Sequence, residues 1–119
     1  MLSSRCRRLG KPPAVAALRN RGAEMAAYLI AEHEIIDAAK FEEYRSRVVP
    51  MIERFGGRYV TRGGTHTVLE GHWQPNRVVV IAFPDMSALN AWYRSPEYQP
   101  LIAIRQGAAR DMLIAIEGT

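Results

Sequence analysis

Residues 61–75, TRGGTHTVLEGHWQP, gather an arginine, a glycine pair, two histidines, a glutamate and a tryptophan into fifteen positions. His66, Glu70 and His72 are of metal-ligand type. On one strand they share a face, at spacings of four and two. Four residues of strand span roughly 13 Å, so His66 and Glu70 cannot reach one ion without a bend. Glu70 and His72 can, at about 7 Å between α-carbons, but two ligands are too few for a metal centre. The solvated edge of a sheet, where charge also discourages aggregation, is the favoured reading, and no metal is expected. Arg62-Gly63-Gly64 offers a different chemistry, a bare backbone beside a fixed cation. Glycine permits close approach and arginine presents a donor fork, which suits a carboxylate or an enolate. The spacing is not that of a phosphate-binding loop. The competing reading is a bend whose arginine pairs with a neighbouring acid.

His33 lies on an otherwise apolar strand face. Histidine titrates near neutrality, so His33, like His66, is a candidate general base. The plainer reading is a hydrogen-bonded core or strand-end histidine. Trp92, Tyr93 and Tyr98 flank Ser95-Pro96 and could line an apolar ligand pocket. Packing in the core or in a dimer is favoured, since aromatic rings bury the most area. Ser46, Ser87 and Ser95 lack a nucleophile-elbow context. No dinucleotide fingerprint is present, and no cofactor is expected.

The net charge of +4 and the pI near 9.6 point at first to nucleic acid or membrane. Location decides otherwise. Residues 1–24 carry six basic residues against Glu24, a net of +5, while residues 25–119 carry ten basic and eleven acidic residues, a net of −1. The positive charge is not on a scaffold that could dock it, so neither a nucleic acid nor a membrane is expected as partner. The longest apolar runs, such as Val78 to Phe83, are too short to span a bilayer. The single cysteine, Cys6, suggests a reducing, cytoplasmic interior.

Residues 1–24 are Arg-rich, acid-poor and without periodicity. Met25 opens MAAYLIAEHEI, which reads at once as a strand. An extension set by choice of start site is the first reading of 1–24, an organellar transit peptide the second and a nucleic-acid arm the third. Disorder is expected under each.

From Ala26 to Ile35 a strand alternates, with Tyr28, Ile30, Glu32 and Glu34 on one face and Leu29, Ala31, His33 and Ile35 on the other. Asp37 caps a helix whose stripe is Phe41, Tyr44, Val48, Met51/Ile52 and Phe55. Pro50 should kink or break it, and Gly56-Gly57 should end it. Arg58 to Arg62 reads as a short strand and Thr65 to His72 as another. Gly63-Gly64 between them is a hairpin turn or a bulge that bends one long strand. Val78 to Phe83 is apolar on both faces, so both must be covered. Asp85 opens a second helix with Met86, Leu89 and Trp92/Tyr93 on its buried side. Ser95-Pro96-Glu97 reads as the cap and first turn of a third, disturbed early by Pro100. Asp111 to Glu117 is a last strand, with Met112, Ile114 and Ile116 on one face.

The order is a βαββαβ, ferredoxin-like α+β plan: an antiparallel sheet with helices on one face. Residues 25–119 are read as its single domain. A homodimer in which two such sheets meet face to face would cover the doubly apolar strand.

The segments FGGRYVTRGG, LEGHWQPNRVVVIAFPDMSALNAWYRSPEYQPL and RQGAARDMLIAIEG resemble the domain-of-unknown-function family numbered 1330 (DUF1330). The resemblance runs from about Met25 to Gly118. It implies two ferredoxin-like sheets closed into a dimeric α/β barrel. The wider superfamily is similar to cofactor-free monooxygenases, haem-degrading enzymes, lactone isomerases and ligand-sensing domains, and fold does not choose among these. Two functions stay open. One is a dimer that binds a small anionic or aromatic metabolite, with Arg62, Gly63, Gly64, Trp92, Tyr93 and Tyr98 around the ligand and cofactor-free catalysis by His33 or His66. The other is a non-catalytic dimeric sensing or assembly module.

Overall fold

The computed structural model describes residues 25–119, so the disorder expected for 1–24 lies outside the described residues. The elements are β1 (Ala27–Ile35), α1 (Ala38–Arg54), β2 (Arg58–Arg62), β3 (Arg77–Phe83), α2 (Met86–Tyr93), α3 (Gln99–Ala108) and β4 (Ala109–Glu117). The strands form one antiparallel sheet in the order β2-β3-β1-β4. This is the ferredoxin-like plan, with the helices against one face.

Side-chain alternation decides which face is which. Leu29, Ala31 and His33 of β1 are buried, as are Val79, Ile81 and Phe83 of β3. They meet Phe41, Tyr44, Val48, Met51 and Ile52 of α1, Leu89 and Trp92 of α2, and Leu101 of α3 in one core. Val78 and Val80 therefore turn to the opposite, open face with Tyr28 and Ile30. There they adjoin Met112, Ile114 and Ile116 of β4, which are 65%, 59% and 50% exposed.

The helix signals act as read at Asp37 and Asp85. Asp37 Oδ1 accepts from the Lys40 N–H at 3.1 Å, and Asp85 Oδ1 from the Ala88 N–H at 2.8 Å. Gly56, at φ 86°, turns the chain out of α1. Pro50 does not break α1, which runs through it. It lies on the exposed side, where water can satisfy the carbonyl that loses its N–H partner. Ser95 does not begin a helix. Residues 95–98 form a turn in which Ser95 Oγ donates to Trp92 O at 2.9 Å and accepts from the Tyr98 N–H at 3.3 Å. A helix begun at Pro96 would need an N–H at position 100, and Pro100 has none. Pro100 falls instead in the first turn of α3, where that N–H is not required.

The strand expected over Thr65 to His72 is absent. Residues 64–76 form a loop, and Gly63-Gly64 is neither a two-residue hairpin nor a bend in one long strand. The Gly63 N–H donates to Val78 O at 3.0 Å as a last rung, after which the chain leaves the sheet. The loop returns through the Glu32 carboxylate, which accepts from Trp73 Nε1–H at 3.0 Å and from the Asn76 N–H at 3.1 Å. The Trp73 and Asn76 bonds hold the Glu32 carboxyl below the usual carboxylate range.

β2 and β3 slip register between Tyr59 and Thr61, leaving Val60 as the extra residue of a bulge. Plain alternation from Tyr59 would send Arg62 to the open face. The bulge sets Tyr59 opposite Ile81 and Arg62 opposite Val79, both on the helix side.

Candidate functional site

A cleft lies between α1 and the sheet at the β2 end. Its apolar walls include Leu29, Phe41, Val48, Val79 and Leu113, and its polar lining is His33, Tyr44, Arg45, Tyr59, Arg62, Arg77 and Trp92. The free volume inside is about 30 Å³, room for a water or two. The buried His33, Tyr44 and Trp92 lie inward, while Arg45, Tyr59, Arg62 and Arg77 are at least partly exposed and form the mouth.

Behind His33 runs a buried polar chain. His33 Nδ1 lies 2.6 Å from Asp111 Oδ1, and Arg105 Nε donates to Asp111 Oδ2 at 2.9 Å. Arg105 Nη1 donates to Tyr98 Oη at 2.8 Å, and Tyr98 Oη lies 2.8 Å from Tyr44 Oη. The side chains of Asp111 and Arg105 are 5% and 3% exposed. A carboxylate in such a place persists only with its charge answered and its lone pairs used. Burial pushes the Tyr44 and Tyr98 hydroxyls upward, so both keep their protons.

At the mouth, the Arg62 guanidinium lies 4.5 Å from the centre of the Tyr59 ring, a cation–π contact. Burial pushes the Tyr59 hydroxyl up to about 12. Among the described residues no carboxylate lies within 4.0 Å of Arg62 or Arg77. Two buried nitrogens also have no hydrogen-bond partner among the described residues, Arg77 Nε and Trp92 Nε1. Both side chains line this cleft. Its lining therefore offers more donors than the protein answers.

The candidates from sequence separate accordingly. His33, Arg62 and Trp92 line the cleft. Tyr98 is fully buried behind it, and Tyr93 packs on Trp92 and Tyr98 without reaching it. Gly63 acts through Arg77: at φ 74°, an added β-carbon would stand 2.8 Å from Arg77 Cζ. Gly64 and His66 line a separate hollow of about 380 Å³ between the loop and the open face, with Thr61 and Val78. His66, Glu70 and His72 are exposed, and among the described residues no three potential ligands cluster for a metal. Tyr44, Arg77, Arg105 and Asp111 did not emerge from the sequence.

Gly63→Val is expected to lower stability by about 2 kcal/mol. It forces a β-branched residue into a left-handed conformation and displaces Arg77. Glu70→Gln and His72→Gln, on the exposed loop, should stay within about 0.5 kcal/mol. Urea unfolding of the three variants checks this, and a wild-type midpoint for Gly63→Val would remove Gly63 from the account.

Comparison with known proteins bears on the fold. Residues 26–119 match the family model described as domain of unknown function (DUF1330). No curated protein matches. The fold is similar to that of RPA0582 from Rhodopseudomonas palustris, a protein of unknown function, at 20% identity and a TM-score of 0.66, over 92% of this chain and 95% of that one. It is also similar to SnoaB from Streptomyces nogalater, a cofactor-independent oxygenase, at 18% identity and a TM-score of 0.51, over 81% of this chain and 93% of that one. At these identities the likeness concerns the fold alone. Through its family match, together with the sheet and helices that carry it, the chain belongs to the DUF1330 family.

Proposed function

We propose that the protein binds a small anionic metabolite in the cleft between α1 and the sheet, as a homodimer, and needs no cofactor. One observation carries the reading: the cleft is lined by Arg62 and Arg77, and among the described residues neither has a carboxylate within 4.0 Å. A ligand with acceptor oxygens answers these two guanidinium charges. Arginine gives a carboxylate two parallel hydrogen bonds. The apolar inner walls favour an uncharged remainder. That SnoaB is a cofactor-independent oxygenase supports cofactor-free chemistry on this fold only by analogy.

A second reading, a non-catalytic dimeric sensing or assembly module, is favoured by the small free volume of about 30 Å³. A thermal-shift screen of short aliphatic and aromatic carboxylates separates the two. A binder at a hundred times its Kd adds about 2.7 kcal/mol of stability. Arg62→Gln should melt like the wild type without ligand, because Arg62 is exposed, and should lose the ligand's shift. An unchanged shift in that variant would move the anion away from the cleft mouth.

A further inference from the structure

Hydrogen-bond direction fixes what the inner end of the cleft can do. A carboxylate only accepts, so His33 Nδ1 carries the proton it shares with Asp111 at 2.6 Å. In the neutral ring this leaves Nε2 with a lone pair, and among the described residues the His33 side chain bonds only through Nδ1. A guanidinium only donates, so Tyr98 Oη accepts from Arg105 Nη1. Tyr98 is fully buried, and its own proton has one acceptor within reach, Tyr44 Oη at 2.8 Å. The reverse orientation would strand that proton in the core, at the cost of an unmade hydrogen bond. Tyr44 Oη therefore accepts from Tyr98 and keeps its own proton to donate. Tyr44 lines the cleft and Tyr98 does not. The Arg105 charge polarises this donor through Tyr98, and its Cζ lies 6.0 Å from the centre of the Tyr44 ring. The His33 and Tyr44 side chains thus both line one cleft. Phe41 packs against both rings, with centroids 5.1 Å from His33 and 5.6 Å from Tyr44.

We propose that the cleft enolises a compact 2-oxo acid, with His33 Nε2 as the base and the Tyr44 hydroxyl as the donor to the forming enolate oxygen. This rests on the reading of the cleft as an anion site. The carboxylate would lie at the arginine mouth, and the ketone with its adjacent carbon would enter the apolar interior, whose free volume admits only a compact group. His33 Nε2 takes a proton from C3. The C–H electron pair becomes the C2–C3 double bond, and the carbonyl π pair moves onto O2, held by the Tyr44 O–H. Return of a proton from the imidazolium to C3 restores the ketone, so the cycle needs no oxidant. Asp111 accepts from Nδ1–H throughout and stabilises the imidazolium. Arg105 and Tyr98 are positioning residues.

The test follows 2-oxobutanoate with the full chain in D₂O, reading loss of the C3 proton signal by NMR and binding by thermal shift. Exchange should exceed the buffer rate by at least about 100-fold, the low end for positioned acid–base catalysis. His33→Gln, whose amide can still donate to Asp111, should keep the thermal shift and lose about 100-fold in exchange rate. Tyr44→Phe should lose about 100-fold in kcat with KM within about twofold, as for removal of one oxyanion donor. If Tyr44→Phe fails to fold, His33→Gln decides alone. Arg62-dependent binding with exchange at the buffer rate, or a His33→Gln variant as fast as the wild type, overturns enolisation and leaves the anion site standing. No Arg62-dependent binding overturns both.

Discussion

Asp111→Ala is expected to remove about 3–5 kcal/mol of folding stability, the usual cost of breaking a buried ion pair from one side. Asp111 holds two partners from two elements: His33 on β1 at 2.6 Å and Arg105 on α3 at 2.9 Å. Without it Arg105, 2% exposed, keeps only the neutral Tyr98 hydroxyl. Domains are stable by about 5–15 kcal/mol in total, so this one change takes a large share. Asp111→Asn keeps the shape and one acceptor oxygen, and should cost less. Urea unfolding gives the answer, provided the m-value stays constant, so that the midpoint reports stability and not a changed denatured state. A loss under about 1 kcal/mol for Asp111→Ala would mean that water reaches Arg105. The polar chain behind His33 would then be dispensable.

That chain was partly legible before any coordinates. The alternation of β1 placed His33 on the core face. For β4 the alternation showed only that Met112, Ile114 and Ile116 share a face; that this face is the open one, so that Asp111 turns inward, comes from the structure. Arg105 lies four residues after Leu101 and three before Ala108, on the apolar stripe of α3. Nothing in one sequence says that Asp111 turns inward to meet Arg105, or a histidine 78 positions away. Arg62 was legible only as a residue type. Its direction depends on the bulge at Val60, which adds one residue to β2 and reverses the faces beyond it. The loop 64–76 shows the opposite error. Thr65 to His72 has a strand's pattern, but a strand also needs a neighbour to pair with, and the Trp73 and Asn76 bonds to Glu32 carry this stretch out of the sheet. The capped helices and the four paired strands were readable because their signals are local.

Ile114→Asp should turn a dimer into a monomer, if two open faces meet as proposed. The motive is the apolar surface left on that side. Met112, Ile114 and Ile116 are at least half exposed, Ile30 lies beside Ile114 across the sheet with Val80 beyond it, and the loop adds Leu69 at 88% and Trp73 at 57%. Contiguous apolar surface of this kind marks an interaction site more often than open solvent. The loop also leaves hollows of about 380 Å³ and 190 Å³ against the open face, the second lined by Ile30, Trp73, Met112 and Ile114, which a partner's side chains could fill. Ile114 discriminates because it is exposed in the single chain, where a polar replacement should change stability by less than about 0.5 kcal/mol. Across a closed interface the same carboxylate would be buried without a partner, at a cost of several kcal/mol. About 4 kcal/mol corresponds to roughly a thousand-fold in Kd. Light scattering at micromolar concentration should give twice the chain mass for the wild type and the single mass for Ile114→Asp, with unchanged circular dichroism. A wild type that stays monomeric at high concentration would remove the dimer, and the open face would need another occupant. The cleft lies on the opposite side of the sheet, so its anion binding can survive that result, and measuring 2-oxobutanoate binding on the Ile114→Asp monomer tells whether the site needs the second copy.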